Sequence, residues 1–407
     1  MRVLLALAAL VLPAPEPAPT PLPAAEARRA LTETAAAIAG TVLDADGKAK
    51  GDYLWKTGRW SEYEAAWHTG QAVNALVAAH HAIGEPRFLT AARRGGDWWI
   101  AREIRTGPLA GLIDAPHGDR LGALINFTTI GDGTPGLFAL TRATGDRRYA
   151  ETATRSIRWL AQRTAVPGEP GLYYNIVDPA TGRVLTDRSP HHPDVARPIV
   201  TQAARPNIEG SPFLDACRFS GDRALCDRHH ALAARTAERA DARGLWMEFE
   251  PNDAGRGVVH PRFNLWNAEA LLDAHADRPN PGLVAVALRT ARTYAGFMRP
   301  DGSVDYEQRL GAPAGQASPT GSATALAGLV FLKLRALGHR EFDASIHRAA
   351  RWLYLHRYPS DHPDPNLRGL VVEWRRKREP DGDVLVQRDL GTIFAARFFA
   401  EYLRTFP

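Results

Sequence analysis

Cysteine is nearly absent: the 407-residue chain has 2, with 3 methionines. Two thiols cannot build a disulfide-stapled scaffold, and 45% hydrophobic with 23% charged residues is ordinary globular composition. An excess of one charge sign is also missing. Lys and Arg number 50 against 45 Asp and Glu, a net +5 with no dense basic block. No nucleic-acid footprint is therefore expected, while mild basicity suits an acidic substrate. No run of 18 apolar residues occurs, so no membrane span is expected. The chain lacks a P-loop, a dinucleotide fingerprint and a nucleophile elbow, which removes nucleotide-binding and α/β-hydrolase readings. His80-His81, His191-His192 and His229-His230 are adjacent pairs, not the i, i+4 pairs that put two ligands on one helix face. Asp44-Ala45-Asp46-Gly47 opens like a calcium loop, but the remaining ligand spacing is missing. No metal and no cofactor are expected.

What is present begins with an address. Met1-Arg2 precedes an apolar run from Val3 to Leu12, too short to span a bilayer and laid out like a secretory signal. Pro13 to Ala25 is nearly all Pro and Ala and reads as an extended linker, with Ala14, Ala24 and Ala25 as candidate cleavage sites. No Cys follows the apolar run, so a lipid anchor is not expected. Residues 1–25 are thus read as signal and linker, and the protein as secreted, periplasmic or extracellular. Cys217 and Cys226 flank the turn Phe219-Ser220-Gly221-Asp222, where a disulfide would staple two helices and would fit export.

The remainder repeats. An Ala/Leu-rich helix, a glycine turn and a second helix recur. Asn74–Ile83 turns at Gly84, Leu137–Thr144 at Gly145, Phe213–Ser220 at Gly221 and Leu326–Leu337 at Gly338. A divergent copy, Trp266–Ala276, turns before Gly282. Glycine suits the position after a helix because it adopts the left-handed cap. Trp98, Trp99, Trp159, Tyr294, Phe297 and Trp352 close the second helices and are read as core. Helices at Ala25–Gly40 and Leu390–Leu403 would pair as a sixth hairpin and close a ring. The expected architecture is one all-α domain over 26–407: an (α/α)6 barrel of six helical hairpins, with long loops and a few short strands on one rim. The longest loop, Tyr173–Pro206, should hold strands around Leu172–Val177 and Arg183–Thr186.

In such a ring the inner helices run one way, so their first turns share a rim. Trp67, His68, Asp132, Glu209, Trp266, Asn267, Thr320, Ser322, Arg388 and Asp389 fall there. Asp132 and Glu209 open consecutive repeats and are read as an acid–base pair, with His68 as a third catalytic candidate. Asp is also a preferred N-cap, and Asp389 is read as one. Gly131 and Gly133 flank Asp132 and would open access to its backbone. Trp60, Trp67, Trp246, Trp266 and Trp374 lie outside the outer-helix pattern, and the first four are read as sugar platforms. Arg205, Arg262 and Arg388 are candidates to clamp a uronate carboxylate, and Asn267 to orient hydroxyls.

Trp67-His68-Thr69-Gly70-Gln71 before an inner helix, followed by the Gly84 turn, resembles the opening hairpin of the six-hairpin glycosidases, whose fold is an (α/α)6 barrel. Gly131-Asp132-Gly133 resembles the segment where unsaturated glucuronyl hydrolases carry one catalytic aspartate. Ile208-Glu209-Gly210-Ser211-Pro212-Phe213-Leu214 resembles the next catalytic helix of unsaturated rhamnogalacturonyl and glucuronyl hydrolases. Those enzymes have Asp where this chain has Glu209, and a His–Asp pair where it has Gly131-Asp132. The opening hairpin is also similar to that of glucuronyl C5-epimerases.

The resemblance implies a secreted carbohydrate-active enzyme acting on a uronate-bearing oligo- or polysaccharide, foremost by carboxylate-driven hydrolysis of an unsaturated or ordinary glycosyl residue. A lyase or C5-epimerase on the same barrel is the alternative, drawing its base from Tyr173, Tyr174, His191, His192 or His260. A non-catalytic saccharide-binding protein is the third reading. It would tolerate loss of both acids but not of Trp60, Trp67 or Trp266.

Overall fold

Each hairpin forms for a local reason. The computed structural model describes residues 20–116, 124–315, 317–379 and 382–407; the expected signal run lies outside the described residues. The helices are α1 (Ala24–Ala37), α2 (Ala65–Ile83), α3 (Pro86–Ile100), α4 (Phe127–Thr144), α5 (Arg147–Arg163) and the single turn α6 (Val200–Ala203). They continue as α7 (Pro212–Ser220), α8 (Arg223–Glu238), α9 (Pro261–Asp277), α10 (Pro281–Phe297), α11 (Gly321–Ala336), α12 (Asp343–Leu355) and α13 (Leu390–Thr405). Gly84, Gly145 and Gly221 end inner helices in the left-handed conformation. Asp146, Asp222 and Asn280 then cap the outer helices by accepting backbone N–H groups.

α2, α4, α9, α11 and α13 are buried on nearly every face, which suits inner helices hydrophobic all round. α2 packs on α4, α4 on α7, α9 on α11, α11 on α13, and α13 back on α2. The sixth hairpin joins the two chain ends, α1 against α13. Leu22, within the Pro/Ala segment, is buried and donates its N–H to the Tyr402 hydroxyl at 3.0 Å. Cys217 and Cys226 form the expected disulfide across the Gly221 turn, with Cα atoms 5.3 Å apart. Trp99, Tyr294 and Trp352 are core. Among the described residues no helix is long and apolar enough to cross a membrane.

α4 corrects one expectation. It starts at Phe127, capped by the Asn126 side chain, rather than at Leu137. Thr128–Gly136 reads as loop because of its glycines and Pro135, yet it is helical. Pro135 withholds a donor from the Gly131 carbonyl, and the Thr134 hydroxyl supplies one at 3.2 Å. Gly133 and Gly136 serve close packing, whereas a Cβ at Gly131 would meet only ordinary contacts at 3.6 Å or more. A Cβ at Gly133 would overlap the Trp99 ring, and one at Gly136 would overlap the Gly70 carbonyl of α2. Gly133→Ala is therefore expected to cost about 1–3 kcal/mol or more, read as a lowered melting temperature with the fold retained. An unchanged melting temperature would refute this close approach of helix and ring.

On the rim where the inner helices start, β1 (Asp52–Leu54), β2 (Arg59–Ser61), β3 (Trp374–Glu379) and β4 (Gly382–Arg388) form an antiparallel sheet in the order β3-β4-β1-β2. Asp52 pairs with Arg388, and Arg375 with Val386. The two-residue period puts Asp52, Arg388 and Arg375 on the face toward the barrel mouth, and Tyr53, Gln387 and Trp374 on the other. Short strands at Tyr173–Tyr174, Ile176–Asp178 and Arg183–Leu185 lie where the long loop was expected to hold them.

Candidate active site

The barrel mouth encloses a cavity of about 220 Å³ lined by Glu64, Trp67, Asp132, Arg205, Glu209, His260, Arg262, Trp266, Tyr306 and Arg375, among others. A larger cavity of about 580 Å³ opens beside it and shares His191, Pro251 and Glu307. Asp132 sits inside α4, not at its cap, so its carboxyl is free of a capping role. Glu209 lies in the turn before α7, where Gly210 takes φ +74° and packs against the Gly131 carbonyl; a side chain there would collide with it. That contact brings Glu209 against α4. Both carboxyls are buried. Burial and then the charge of Glu209 push the Asp132 pKa well above the carboxylate range, with Arg205 opposing. Glu209 is raised by burial against the pull of Arg205, which donates to its Oε1 at 2.8 Å. Asp132 is thus the member whose pKa is pushed up more strongly, and Glu209 the member held by a cation.

The arginines divide by what they already hold. Arg205 also donates to Thr128 and Asn207 at 3.1 Å each and to the Glu250 carbonyl at 3.1 Å, so it positions Glu209 rather than waiting for a ligand. Arg262 donates to Glu373 at 3.2 Å. Arg375 has no ion-pair partner among the described residues; its guanidinium lies 4.2 Å from the centre of the Tyr306 ring and lines the cavity. Trp67 and Trp266 meet across the floor with ring centroids 5.8 Å apart and planes tilted by 55°. The His260 Nε2 is 3.3 Å from the Tyr306 hydroxyl. Burial and the surrounding cations, Arg262 first, lower its pKa well below that of an ordinary histidine, so the ring is neutral.

No family model matches the sequence, and no curated protein does. Solved structures do match along nearly the whole chain. A cellobiose 2-epimerase from Bacillus thermoamylovorans is 13% identical, with 94% of this chain and 99% of that one covered and a TM-score of 0.73. A D-mannose isomerase is 11% identical over 94% and 99%, with a TM-score of 0.66. An unsaturated glucuronyl hydrolase from a Bacillus species is 14% identical over 93% and 96%, with a TM-score of 0.63. The chain shares the (α/α)6-barrel fold of these proteins.

Within that fold several expected site residues stand elsewhere. His68 is fully buried behind the cavity wall. Its Nδ1 is 2.8 Å from Asp389 Oδ1 and its Nε2 3.7 Å from Glu64 Oε2. Burial opposes a charged imidazole, but Asp389 and then Glu64 outweigh it and raise the His68 pKa. His68 therefore stands one layer behind Glu64, which does line the cavity. Asp389 makes no side-chain cap; it accepts from the Gly51 N–H at 3.1 Å and holds His68, correcting the cap expectation. Arg388 is not on the cavity wall, because both its Nε and Nη2 are bound to Asp52 at 2.7 and 2.8 Å. Trp246 is core, its indole N–H donated to the Thr236 carbonyl at 2.7 Å. Asn267 is fully buried and off the cavity wall. Trp60 lies on β2, facing away from the mouth and donating to Asn366 at 2.8 Å. Of the alternative bases, His260 and His191 line the cavity, His192 lines only the larger one, and Tyr173 is buried against Phe127 and Phe213. Sequence reasoning missed Glu64, Tyr306 and Arg375. The sole signal was conformational and not readable in advance: Glu64 has φ +47° and Ser211 φ +52°, strained values for side-chain-bearing residues, and the first lines the site. Among the described residues no group of three or more His, Cys, Asp or Glu could hold a metal ion.

Proposed function

We propose that the chain is an exported carbohydrate-active enzyme that hydrolyses a uronate-bearing glycosyl residue, an unsaturated one foremost, in the cavity at the barrel mouth. The observation that carries this reading is a buried Asp132, its pKa pushed well up by burial and the Glu209 charge, beside an arginine-held Glu209. On an unsaturated uronyl group Asp132 donates its proton to C4 of the C4=C5 double bond, leaving a cation at C5 shared with the ring oxygen. Glu209 accepts a proton from water as its oxygen bonds to C5. The hemiketal so formed opens and releases the alcohol, one water being consumed. Arg375 takes the uronate carboxylate, and Trp67 and Trp266 face the ring. Glu64, which accepts the Trp67 indole N–H and lies 3.7 Å from His68, adds negative charge that favours the protonated form of Asp132. The solved neighbours include a protein named for unsaturated glucuronyl hydrolysis, in keeping with this chemistry. The signal-like first residues and the disulfide support export.

Ultraviolet absorbance of the conjugated uronate tests the proposal. Lyase-cut acidic oligomers should lose absorbance with the purified chain, and Arg375→Gln should raise KM about tenfold or more, an arginine–carboxylate contact being worth about 1.5–3 kcal/mol. The neutral His260 with the Tyr306 hydroxyl favours a second reading, proton abstraction beside the carboxylate by a lyase or epimerase. Rising absorbance on intact polymer, or deuterium uptake at the uronate carbon without cleavage, would decide for it and against hydrolysis.

A further inference from the structure

Trp60 was expected as a sugar platform beside the acids, and the sheet turns it and Trp374 away from them. β3 sends Arg375 into the cavity and Trp374 to the opposite face. There the aromatic rings run without a break across the sheet. Trp60 meets Tyr53 with centroids 5.5 Å apart, Tyr53 meets Trp55 at 6.2 Å, and Trp55 meets Tyr358 at 6.1 Å. Tyr358 in turn accepts the Trp374 indole N–H at 2.8 Å. Trp55, Trp374 and Leu385 are the exposed part, at 37%, 42% and 45%. Large exposed apolar side chains gathered in one place mark a binding surface rather than idle exposure. The rings are also fixed. The Trp60 and Trp374 N–H groups are spent on Asn366 and Tyr358, so both rings are held in place and little rotamer freedom is lost on binding.

Charge says what would cover this face. Arg376 pairs with Leu385 across the strands and shares its side of the sheet. Lys50 lies 5.6 Å over the Trp60 ring, and exposed Lys56 follows Trp55 in the β1–β2 turn. Two carboxylates share this side: Asp364, already occupied by the Tyr53 hydroxyl and the Asn366 N–H, and Asp383, two residues along β4 from Leu385 and itself engaged, which leaves Arg376, Lys50 and Lys56 in excess. Flat rings with cations between them match a chain of pyranoses bearing carboxylates: the rings take the C–H faces and the cations take the acids.

We propose that the outer face of this sheet, built on Trp55, Trp374 and Arg376, is a second saccharide-binding site that holds an acidic polysaccharide chain outside the catalytic cavity. This rests on the carbohydrate reading above. The site would tether the polymer whose ends enter the mouth on the other side of the same strands.

Affinity electrophoresis of the full chain in gels containing polygalacturonate or heparin, with dextran as neutral control, tests it, together with turnover of an unsaturated disaccharide too short to reach this face. The wild type should be retarded by an acidic polymer and not by dextran. The Trp55→Ala/Trp374→Ala double variant should lose at least tenfold in apparent affinity, and Arg376→Gln severalfold, with disaccharide turnover unchanged in both. Retardation of the double variant equal to wild type would overturn the site, as would equal retardation by dextran or none by either acidic polymer. A wild-type dimer that the double variant dissolves in sedimentation would assign the face to a second copy and also overturn it. Disaccharide turnover reads the hydrolase proposal separately, so either proposal can fail alone.

Discussion

Asp132→Asn should lower turnover by about 10²–10⁴-fold and raise the melting temperature at the same time. The two effects share one cause. Burial and the Glu209 charge hold the Asp132 pKa well above its unfolded value, and its Oδ1 is buried without a hydrogen-bond partner. The folded state therefore binds this proton more tightly than the unfolded state. Above the unfolded pKa, about 3.9, the site costs stability; the cost grows with pH until the folded pKa is passed, then stays constant. Asparagine has nothing to ionise and removes it. The melting-temperature gain should thus be largest near neutral pH and shrink toward pH 4, measured by circular dichroism at each pH. Activity has the complementary profile: it should fall on the alkaline side as Asp132 loses its proton, and on the acid side as Glu209 gains one. A melting temperature lower than wild type at neutral pH would show that Asp132 is a structural group. Retained turnover would remove it from the chemistry. A variant that is more stable and inactive is the expected signature of a group strained for function.

What was legible in the chain follows from what is local. Helix periodicity and glycine caps are local, so six hairpins and the closure of α1 on α13 could be read off. The rule that parallel inner helices share one rim placed Trp67, Asp132, Glu209 and Trp266 on one cavity. The same rule misplaced His68 and Asp389 by one layer. It fixes the rim a residue belongs to, but not whether its side chain turns inward or toward the neighbouring helix. Arg375 and Tyr306 were invisible to it because they come from a strand and a loop that approach the mouth from other repeats. In β3 the run Trp374-Arg375-Arg376-Lys377 carries no hydrophobic alternation, since each face is marked by its partner strand and not by its own residue types. Gly133 shows the converse. A glycine beside a functional acid invited a functional reading, and the helix needs it to clear Trp99.

The largest stability effect should come from Arg388, a residue first read as a substrate clamp. Its guanidinium grips Asp52 through two parallel contacts, lies 3.8 Å from the centre of the Tyr63 ring, and both partners are buried. Burial works against the Asp52 charge, but Arg388 prevails and depresses the Asp52 pKa. The contribution of that depression is present above the unfolded pKa and is lost as pH falls through the lower folded value, so acid should loosen this joint below about pH 4. Asp52→Ala leaves a buried cation alone and should cost about 3–5 kcal/mol, measured by denaturant unfolding. A shape-matched Asp52→Leu/Arg388→Met pair removes both charges and should recover most of that loss. The double variant also separates the two roles of Arg388. The pair joins β1 to β4, and β4 carries the strand of Arg375. If Arg388 is a joint, the double variant should be stable and keep its KM, because the sheet still holds Arg375 in the mouth. If Arg388 holds substrate, the double variant should be stable with KM raised tenfold or more, and the carboxylate clamp would have to be reassigned from Arg375 to Arg388.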